Sequence, residues 1–466
     1  MTPPFQLVEP QFVPPLDEGF RPAALANRAF RREVEASQGG VPLVLGVERV
    51  GGTLSRFETC VFPDGHPRAA ANLMYAERLV KFLLWQRGGW KVYVGGPRSI
   101  GDYIRERYAP DGVQAFDYRF MGEQVYQQTF TVVACDPDEV PPEHESEKSL
   151  GRHLDGYRIG FDLGASDLKV SAVVNGEAIF SDEIVWEPRK QTDPRYHHDK
   201  ILEALKLAAS KLPRVDAIGG SSAGVFVNNR PMVASLFRGI PAERYDDVRS
   251  LFLRIREEMG GIPLEVINDG EVTALAGSMS LEDNSILGVA MGSSEAAGYV
   301  TPKGNITDWL NELAFAPVDY QPEAPADEWS GDRGVGAQYF SQQAVFRLAP
   351  KAGITLPHDV TDAERLKFVQ AQLESRHEGA VKIWQTMGIY LGYAIAHYAD
   401  FYDLRHVLIL GRCTSGQGGT LILEGAREVL AAEFPDLAAR LNIQLPDEKS
   451  RRVGQSIAAA SLPEIR

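Results

Sequence analysis

The sequence predicts an α/β protein in which one folding unit occurs twice around a cleft, preceded by a smaller α+β region. Three observations carry that prediction. Apolar runs at 157–163, 168–174 and 178–184 are separated by Gly-containing or polar turns, which reads as an antiparallel meander. A helix at about 197–211, a strand at 217–220, a helix near 245–259, a strand at 264–268 and a small-residue helix at 271–279 follow it. A second meander then begins at 286–291 and 298–300. Further on, Val381, Trp384, Met387, Leu391, Ile395 and Tyr398 recur at helical spacing ahead of a strand at 406–410.

The N-terminal part has a different rhythm. Residues 1–20 read as an extended tail, because Pro3, Pro4, Pro10, Pro14 and Pro15 deny it a helix. Residues 21–37 carry a polar helical pattern, and 41–50 and 53–62 read as strands around Gly51-Gly52. The stretch 69–87 is a helix with Leu73, Ala76, Leu79, Val80 and Leu83 on one face. Residues 91–94, 115–120 and 125–134 read as further strands. The acidic, Pro-bearing segment 136–149 is nearly devoid of apolar residues and marks a boundary. The linear partition is therefore a tail (1–20), an α+β region of unassigned role (21–135), an acidic linker (136–155), lobe one (156–280) and lobe two (281–466).

Composition narrows the function classes. With 44% hydrophobic and 24% charged residues over 466 positions, the chain suits a globular protein of two or three domains. A net charge of −15 argues against a general nucleic-acid binder. Residues 1–150 hold 16 Lys/Arg against 20 Asp/Glu and show no basic recognition helix, which weighs against DNA binding there. Cys60, Cys135 and Cys413 are widely spaced, so neither a disulfide framework nor a structural zinc site is expected. The absence of a signal-like start and of a long apolar span makes a cytoplasmic, membrane-free location the expectation.

Four segments bear chemistry. In Ile159-Gly160-Phe161-Asp162-Leu163-Gly164-Ala165-Ser166, a tight small-residue turn lets backbone N–H groups approach a phosphate, Ser166 adds a hydroxyl, and Asp162 can hold Mg²⁺ through water. An unliganded hairpin is the plain alternative. In Asn268-Asp269, at a strand end leading into a helix, an Asp can accept the proton of an attacking hydroxyl; a helix N-cap is the alternative. Gly292-Ser293-Ser294 is a second phosphate-type turn, and Gly411 closes a strand before a helix, where a nucleotide or a plain turn fits equally.

In this order the four segments resemble the ROK family of sugar kinases and sugar-responsive repressors, in the actin/hexokinase superfamily, over residues 156–466. Asp162, Leu163, Gly164 and Ser166 match its first phosphate loop. Ser222-Ala223-Gly224 and Asn228 match its G-x-P-G-x-V-D segment, and Asn268-Asp269 its N-D pair. Gly292-Ser293 begins the second loop, and Glu312 stands in the place of G-E-I-G-H. Gly331, Gly334, Tyr339 and Ser341 match the cysteine-containing stretch, Gly411 the adenosine loop, and 453–462 the closing helix. The resemblance implies a duplicated ribonuclease-H-like fold and ATP-dependent phosphorylation of a sugar or polyol hydroxyl. Asp269 would be the base and Asn268 and Glu312 substrate ligands. Phosphates would lie at Gly164, Ser166, Gly292 and Ser293 and the nucleotide at Gly411, with Mg²⁺ near Asp162.

Departures cluster at the chemistry. Ala165 and Asp167 replace a Gly and a Lys, and Ser294, Ala296 and Ala297 replace glycines, predicting either strain of about 1 kcal/mol each or another loop shape. Glu295 would put a carboxylate beside a triphosphate. Phe315 replaces a sugar- and zinc-binding His, Val335 and Gly336 stand in the cysteine region, and Ala337 replaces a sugar-contacting Glu, so no zinc is expected. These losses keep a non-catalytic sugar- or nucleotide-binding protein as the alternative, with a sugar-responsive regulator behind it. The Gly-Gly-Thr echo at 51–53 reads as an ordinary hairpin, the other reading being a degenerate half-domain that caps the cleft or supports a homodimer. His197-His198 read as solvated. Trp85 and Trp90, flanking Gln86-Arg87-Gly88-Gly89, read as core or interface, with a sugar-stacking platform as the alternative.

Overall fold

The computed structural model describes residues 5–145, 147–148, 150–446 and 448–465. Pro3 and Pro4 of the tail, and Ser146 and Ser149 of the acidic segment, lie outside the described residues. The chain opens with α1 (Ala23–Ala36), β1 (Val41–Glu48), β2 (Leu54–Val61), α2 (Ala70–Arg87), β3 (Lys91–Gly95), α3 (Arg98–Arg107), α4 (Ala115–Arg119) and β4 (Thr131–Cys135). Next come β5 (Glu147–Lys148), β6 (Tyr157–Leu163), β7 (Asp167–Val174), β8 (Glu177–Val185), α5 (Pro194–Ala209), β9 (Ala217–Ser222), β10 (Val225–Val227) and β11 (Arg230–Val233). They lead to α6 (Tyr245–Arg249), α7 (Leu251–Glu258), β12 (Leu264–Asn268), α8 (Asp269–Leu281), β13 (Ile286–Met291), β14 (Glu295–Val300) and β15 (Ile306–Thr307). The last elements are α9 (Gln342–Leu348), α10 (Asp362–Glu374), α11 (Glu378–Tyr398), β16 (His406–Leu410), α12 (Gln417–Glu433), α13 (Pro435–Ala438), β17 (Asn442–Gln444) and α14 (Glu448–Ala460).

Two sheets carry the duplication. One runs β12-β9-β6-β7-β8, and the other runs β17-β16-β13-β14-β15 with β5 added at its edge. Numbered along the chain within each copy, both follow the order 5-4-1-2-3. The meander-helix-strand reading is the origin of this order: a hairpin pair lies to one side of the first strand, and parallel strands lie to the other. In the first copy β6 is antiparallel to β7 and parallel to β9, which is parallel to β12.

The chain forms two compact units. One comprises Met1–Ser146, Val289–Ala296 and Trp309–Leu445, and the other Glu147–Gly288, Ala297–Asp308 and Pro446–Arg466. The second unit has a core of Ile159, Phe161, Val170, Ile218, Leu251 and Val266 between its sheet and helices α5 and α7. On the sheet's other face lies α14. A Cβ at Gly160 would stand 2.2 Å from Ser456 O, and one at Gly219 only 1.6 Å from Ala459 O, so only glycine lets the helix backbone settle there. Buried Arg158 fastens the helix end by donating to Pro463 O (2.7 Å).

In the first unit the N-terminal region is a four-stranded sheet, β2-β1-β3-β4, with β1 antiparallel to β2 and β3 and β3 parallel to β4. Helix α2 is enclosed on nearly every side, not on one face alone, and so takes charged residues inside with their partners. Lys81 Nζ donates to Asp117 Oδ2 (2.9 Å) and pairs with Asp332 (3.0 Å), while Trp85 Nε1 donates to Asp117 (3.2 Å). Two strands expected from the sequence are corrected. Residues 115–120 form α4 running into a π-helical turn (Phe120–Tyr126), and the strand expected at 125–134 is confined to Thr131–Cys135. Asp117 is the physical reason, since the turn conformation delivers its carboxylate to Lys81 where a strand would not.

Residues 5–20 of the Pro-rich tail contain no helix, and they form a strap. Phe12 N donates to Tyr393 Oη (3.1 Å), Leu16 N to Thr386 Oγ1 (3.3 Å) and Arg21 N to Asp319 (3.0 Å), and Asp17 pairs with Arg347 (3.1 Å). Phe20 is buried against Tyr339, Tyr390 and Tyr393, with the nearest ring centroid at 4.7 Å. Replacing Phe20 by Ala should cost about 3–5 kcal/mol in denaturant unfolding. A loss below about 1 kcal/mol would mean that the strap is not part of the folded core. Among the described residues no helix is long and apolar enough to cross a membrane.

Candidate active site

The parallel strands of the second unit bring one set of candidates together at their carboxyl ends, where ligands of open α/β sheets bind. In register, Asp162 on β6 faces Ser221 on β9, which faces Ile267 on β12; one step further Leu163, Ser222 and Asn268 align. Asn268 is the N-cap of α8. Its Oδ1 accepts from Gly270 N (2.7 Å) and its Nδ2 donates to Gly224 O (2.8 Å), which leaves one N–H and one lone pair for a ligand. Because Asn268 caps the helix, Asp269 is not needed as the cap, although its Oδ1 also accepts from Gly270 N (3.0 Å).

Asp269 is half-buried and its carboxyl is pushed up to about 6, first by burial and then by the neighbouring Asp162. Asp162 is itself raised by burial, with Ser221 partly offsetting the effect. The strand that carries Asp162 and the one that leads into Asp269 are separated by β9, whose Ser221 bonds Asp162, and carboxylate and hydroxyl oxygens are the donors that a hard divalent cation takes. Ser221 drew no notice in the sequence, because only strand register makes it a neighbour of Asp162; Ser222, one of the matched positions, is buried and aligns with Asn268. Asn229 was also passed over. Together with Asn228 it makes the two-residue β10–β11 turn, both at positive φ, and its side chain bonds Leu264 O (3.0 Å) and Val266 N (2.7 Å) at the edge of β12.

The first phosphate-type turn is a tight hairpin. Gly164 N donates to Asp167 O (2.8 Å), and Trp186 Nε1 donates to Gly164 O (2.9 Å), so both backbone groups of Gly164 serve the turn. Ser166 is exposed and its hydroxyl donates to Asp167 (3.1 Å).

The remaining candidates, Gly292, Ser293, Glu312 and Gly411, belong to the first unit. Gly292 N donates to Ser294 O (3.0 Å) and Gln342 N donates to Gly292 O (2.9 Å); Ser293 and Ser294 are exposed. None of residues 292–298 has a positive φ. Of the two outcomes expected for the lost glycines, the loop has taken another shape and carries no backbone strain. Gly411, in contrast, is at φ +99°, and a Cβ there would stand 2.5 Å from Met291 O. The N-terminus of α12 beyond it receives the Glu374 carboxylate, with Gln417 N donating to Oε1 (3.2 Å).

Glu312 is half-buried, and Glu295 is 3% exposed. Burial foremost, and Glu312 in the same direction, push the Glu295 carboxyl up to about 8, which favours its neutral form at pH 7. The expectation of a charged Glu295 beside a triphosphate is thereby corrected. Phe315 is packed against Trp85 (4.5 Å), Trp329 (5.1 Å) and Phe116 (6.4 Å), which places Trp85 in the core. His197 is not solvated either. It is fully buried, near Pro188 O (3.1 Å) and Leu236 O (3.3 Å), and burial lowers its pKa; His198 lies between Asp199 and Glu258. Among the described residues no group of three or more His, Cys, Asp or Glu is arranged to hold a metal.

A doubled sheet of this order, with Asp162 next to the end of the first strand and Asn268 ending the fifth, is an actin/hexokinase-type fold. Solved structures of that type agree. The chain is similar to a ROK hexokinase from Thermus thermophilus at 17% identity, covering 65% of this chain and 98% of that one, with a TM-score of 0.51. It is similar to a ROK family transcriptional regulator, a homolog of the E. coli MLC protein, at 18% identity, covering 66% and 78% of the two chains, TM-score 0.50. A third is a proposed N-acetylmannosamine kinase from Listeria monocytogenes, at 16% identity, covering 66% and 97%, TM-score 0.50. At these identities the likeness is one of fold. No family model and no curated protein matches the chain.

Proposed function

We propose that this protein phosphorylates a hydroxyl of a sugar or sugar-like polyol at the expense of ATP, with Asp269 as general base. The observation that supports this most is the raised, half-buried carboxyl of Asp269 at the tip of β12, beside Asp162. A base near 6 is still ionised at neutral pH and far better matched to an alcohol than an ordinary aspartate. The acceptor oxygen attacks the γ-phosphorus, its proton passes to Asp269 Oδ, the bond to the β-phosphate oxygen breaks, and a phosphate monoester and ADP result. Asn268, with its spare N–H and lone pair, and Glu312 would orient the acceptor. Ser166 at the 164–166 turn and the exposed hydroxyls of Ser293 and Ser294 at the 292–294 turn are donors suited to phosphate oxygens, and Gly411 would lie beside the nucleotide. Mg²⁺ would be held by Asp162 through water and, when bound, supplies neutralisation of the phosphate charge.

A regulator reading has less support. Residues 21–135 form a four-stranded sheet with helices around it, and their region is net acidic. Binding without turnover is favoured by one observation, the Gly164 N–H already spent within its own turn. One screen separates the two: ADP release and thermal shift over hexoses, amino sugars and polyols with ATP and Mg²⁺. At least one acceptor should stimulate ADP release. Stabilisation by ligands with no ADP from any acceptor would leave a binding protein.

A further inference from the structure

We infer that the C-terminal end of α2, which the N-terminal region supplies, is the element that positions Glu312. The assignment of Glu312 to an acceptor rests on the kinase reading above; the contact itself does not. The last carbonyls of a helix have no partner within it. In α2 two of these go to the loop that carries the carboxylate: Asn311 N donates to Gln86 O (2.9 Å) and Glu312 N to Trp85 O (2.9 Å). The loop caps the helix, and the helix fixes the two peptide planes that aim Glu312.

Asn311 has φ +49°, a conformation that non-glycine residues rarely adopt, and Tyr402 Oη donates to its Oδ1 (2.7 Å) to hold it there. Gly88, at φ +79°, ends the helix where a Cβ would stand 2.0 Å from Tyr126 Oη and 2.8 Å from Leu310 Cγ. Arg87 completes the grip. Its guanidinium lies 3.7 Å over the Trp309 ring, Nε donates to Gln86 Oε1 (3.1 Å) and Nη2 to Phe401 O (3.2 Å). At the loop's far end the Trp85 ring packs on Phe315 at 4.5 Å. The segment Trp85-Gln86-Arg87-Gly88 thus touches residues 309, 310, 311, 312 and 315, and residues 21–135 acquire a role in the site as its support.

Arg87 is accordingly a positioning residue. Arg87→Met, which keeps the stem and loses every N–H donor, should raise the acceptor KM at least tenfold while the ATP KM stays within about twofold. Arg87→Lys should fall between the two. Hydrogen exchange of the 309–316 segment should be slow in the wild-type protein and at least tenfold faster in Arg87→Met. Trp309→Phe, which leaves α2 intact, should give the same split at smaller size and serves if Arg87→Met does not fold. Unchanged acceptor KM in a folded variant, or acceptor and ATP KM rising together, overturns the inference. So does rapid wild-type exchange at Asn311 and Glu312. If the wild-type protein phosphorylates no acceptor, the kinase reading fails, while the exchange measurement still judges the contact.

Discussion

Replacing Asp269 by Asn will lower kcat by about two to four orders of magnitude and leave ATP binding within about twofold. The substitution keeps the shape and the acceptor that Gly270 N uses at 3.0 Å, so the start of α8 survives, and only the ability to take a proton is removed. The wild-type pH profile carries the same assignment. A base must be unprotonated to act, so kcat/KM should fall as pH drops through about 6, where Asp269 takes up its proton. Asp162 is one of the two causes that raise this value. Asp162→Asn should therefore move the acid limb to lower pH, in whatever activity persists. Near-normal turnover by Asp269→Asn would remove Asp269 from the reaction.

Glu295 gives the second large effect, on stability. Its carboxyl is ordinarily near 4.5 and stands at about 8 when folded, so between those values the native state binds the extra proton. Stability from this group is complete below about 4.5, declines as pH rises from there, and is fully lost above about 8. At about 1.4 kcal/mol per pKa unit the upper bound is roughly 5 kcal/mol, and a few kcal/mol is the expected size. Glu295→Gln fixes the neutral form. Its denaturant midpoint should exceed that of the wild type at pH 9 and converge with it toward pH 4.5. Parallel stability–pH curves for the two proteins would mean that Glu295 ionises normally. The buried Oε2 has no hydrogen-bond partner and Tyr398 Oη is 3.4 Å from Oε1, so little in the surroundings favours the anion.

The fold was legible because its order is written in local signals. Turn residues separate 157–163 from the runs that follow, and the small-residue helix after Asn268-Asp269 starts at a residue type that caps helices. What local signals cannot carry is what one segment does to another. Residues 115–120 have the composition of a strand, while the helical turn gives the Asp117 carboxylate to the buried ammonium of Lys81, 36 residues away in sequence, and to Trp85 Nε1. The same holds at the site. Asp162 and Asp269 stood out by position, whereas Ser221 became visible only through strand register. Glu295 was read as a charge because nothing in its neighbours in sequence discloses that it is enclosed. The substituted glycines at 294, 296 and 297 were read against a loop shape that this chain does not use.

The seating of α14 on Gly160 and Gly219 has a consequence for biosynthesis. On a translating ribosome, strands β6 and β9 emerge more than 200 residues before the helix whose backbone they are shaped to receive. Until residues 446–466 are made, the part of that sheet that α14 covers has no helix on it. Pairings this distant along the chain close slowly, so the nascent protein passes through a long interval in which a chaperone has an apolar sheet to shield.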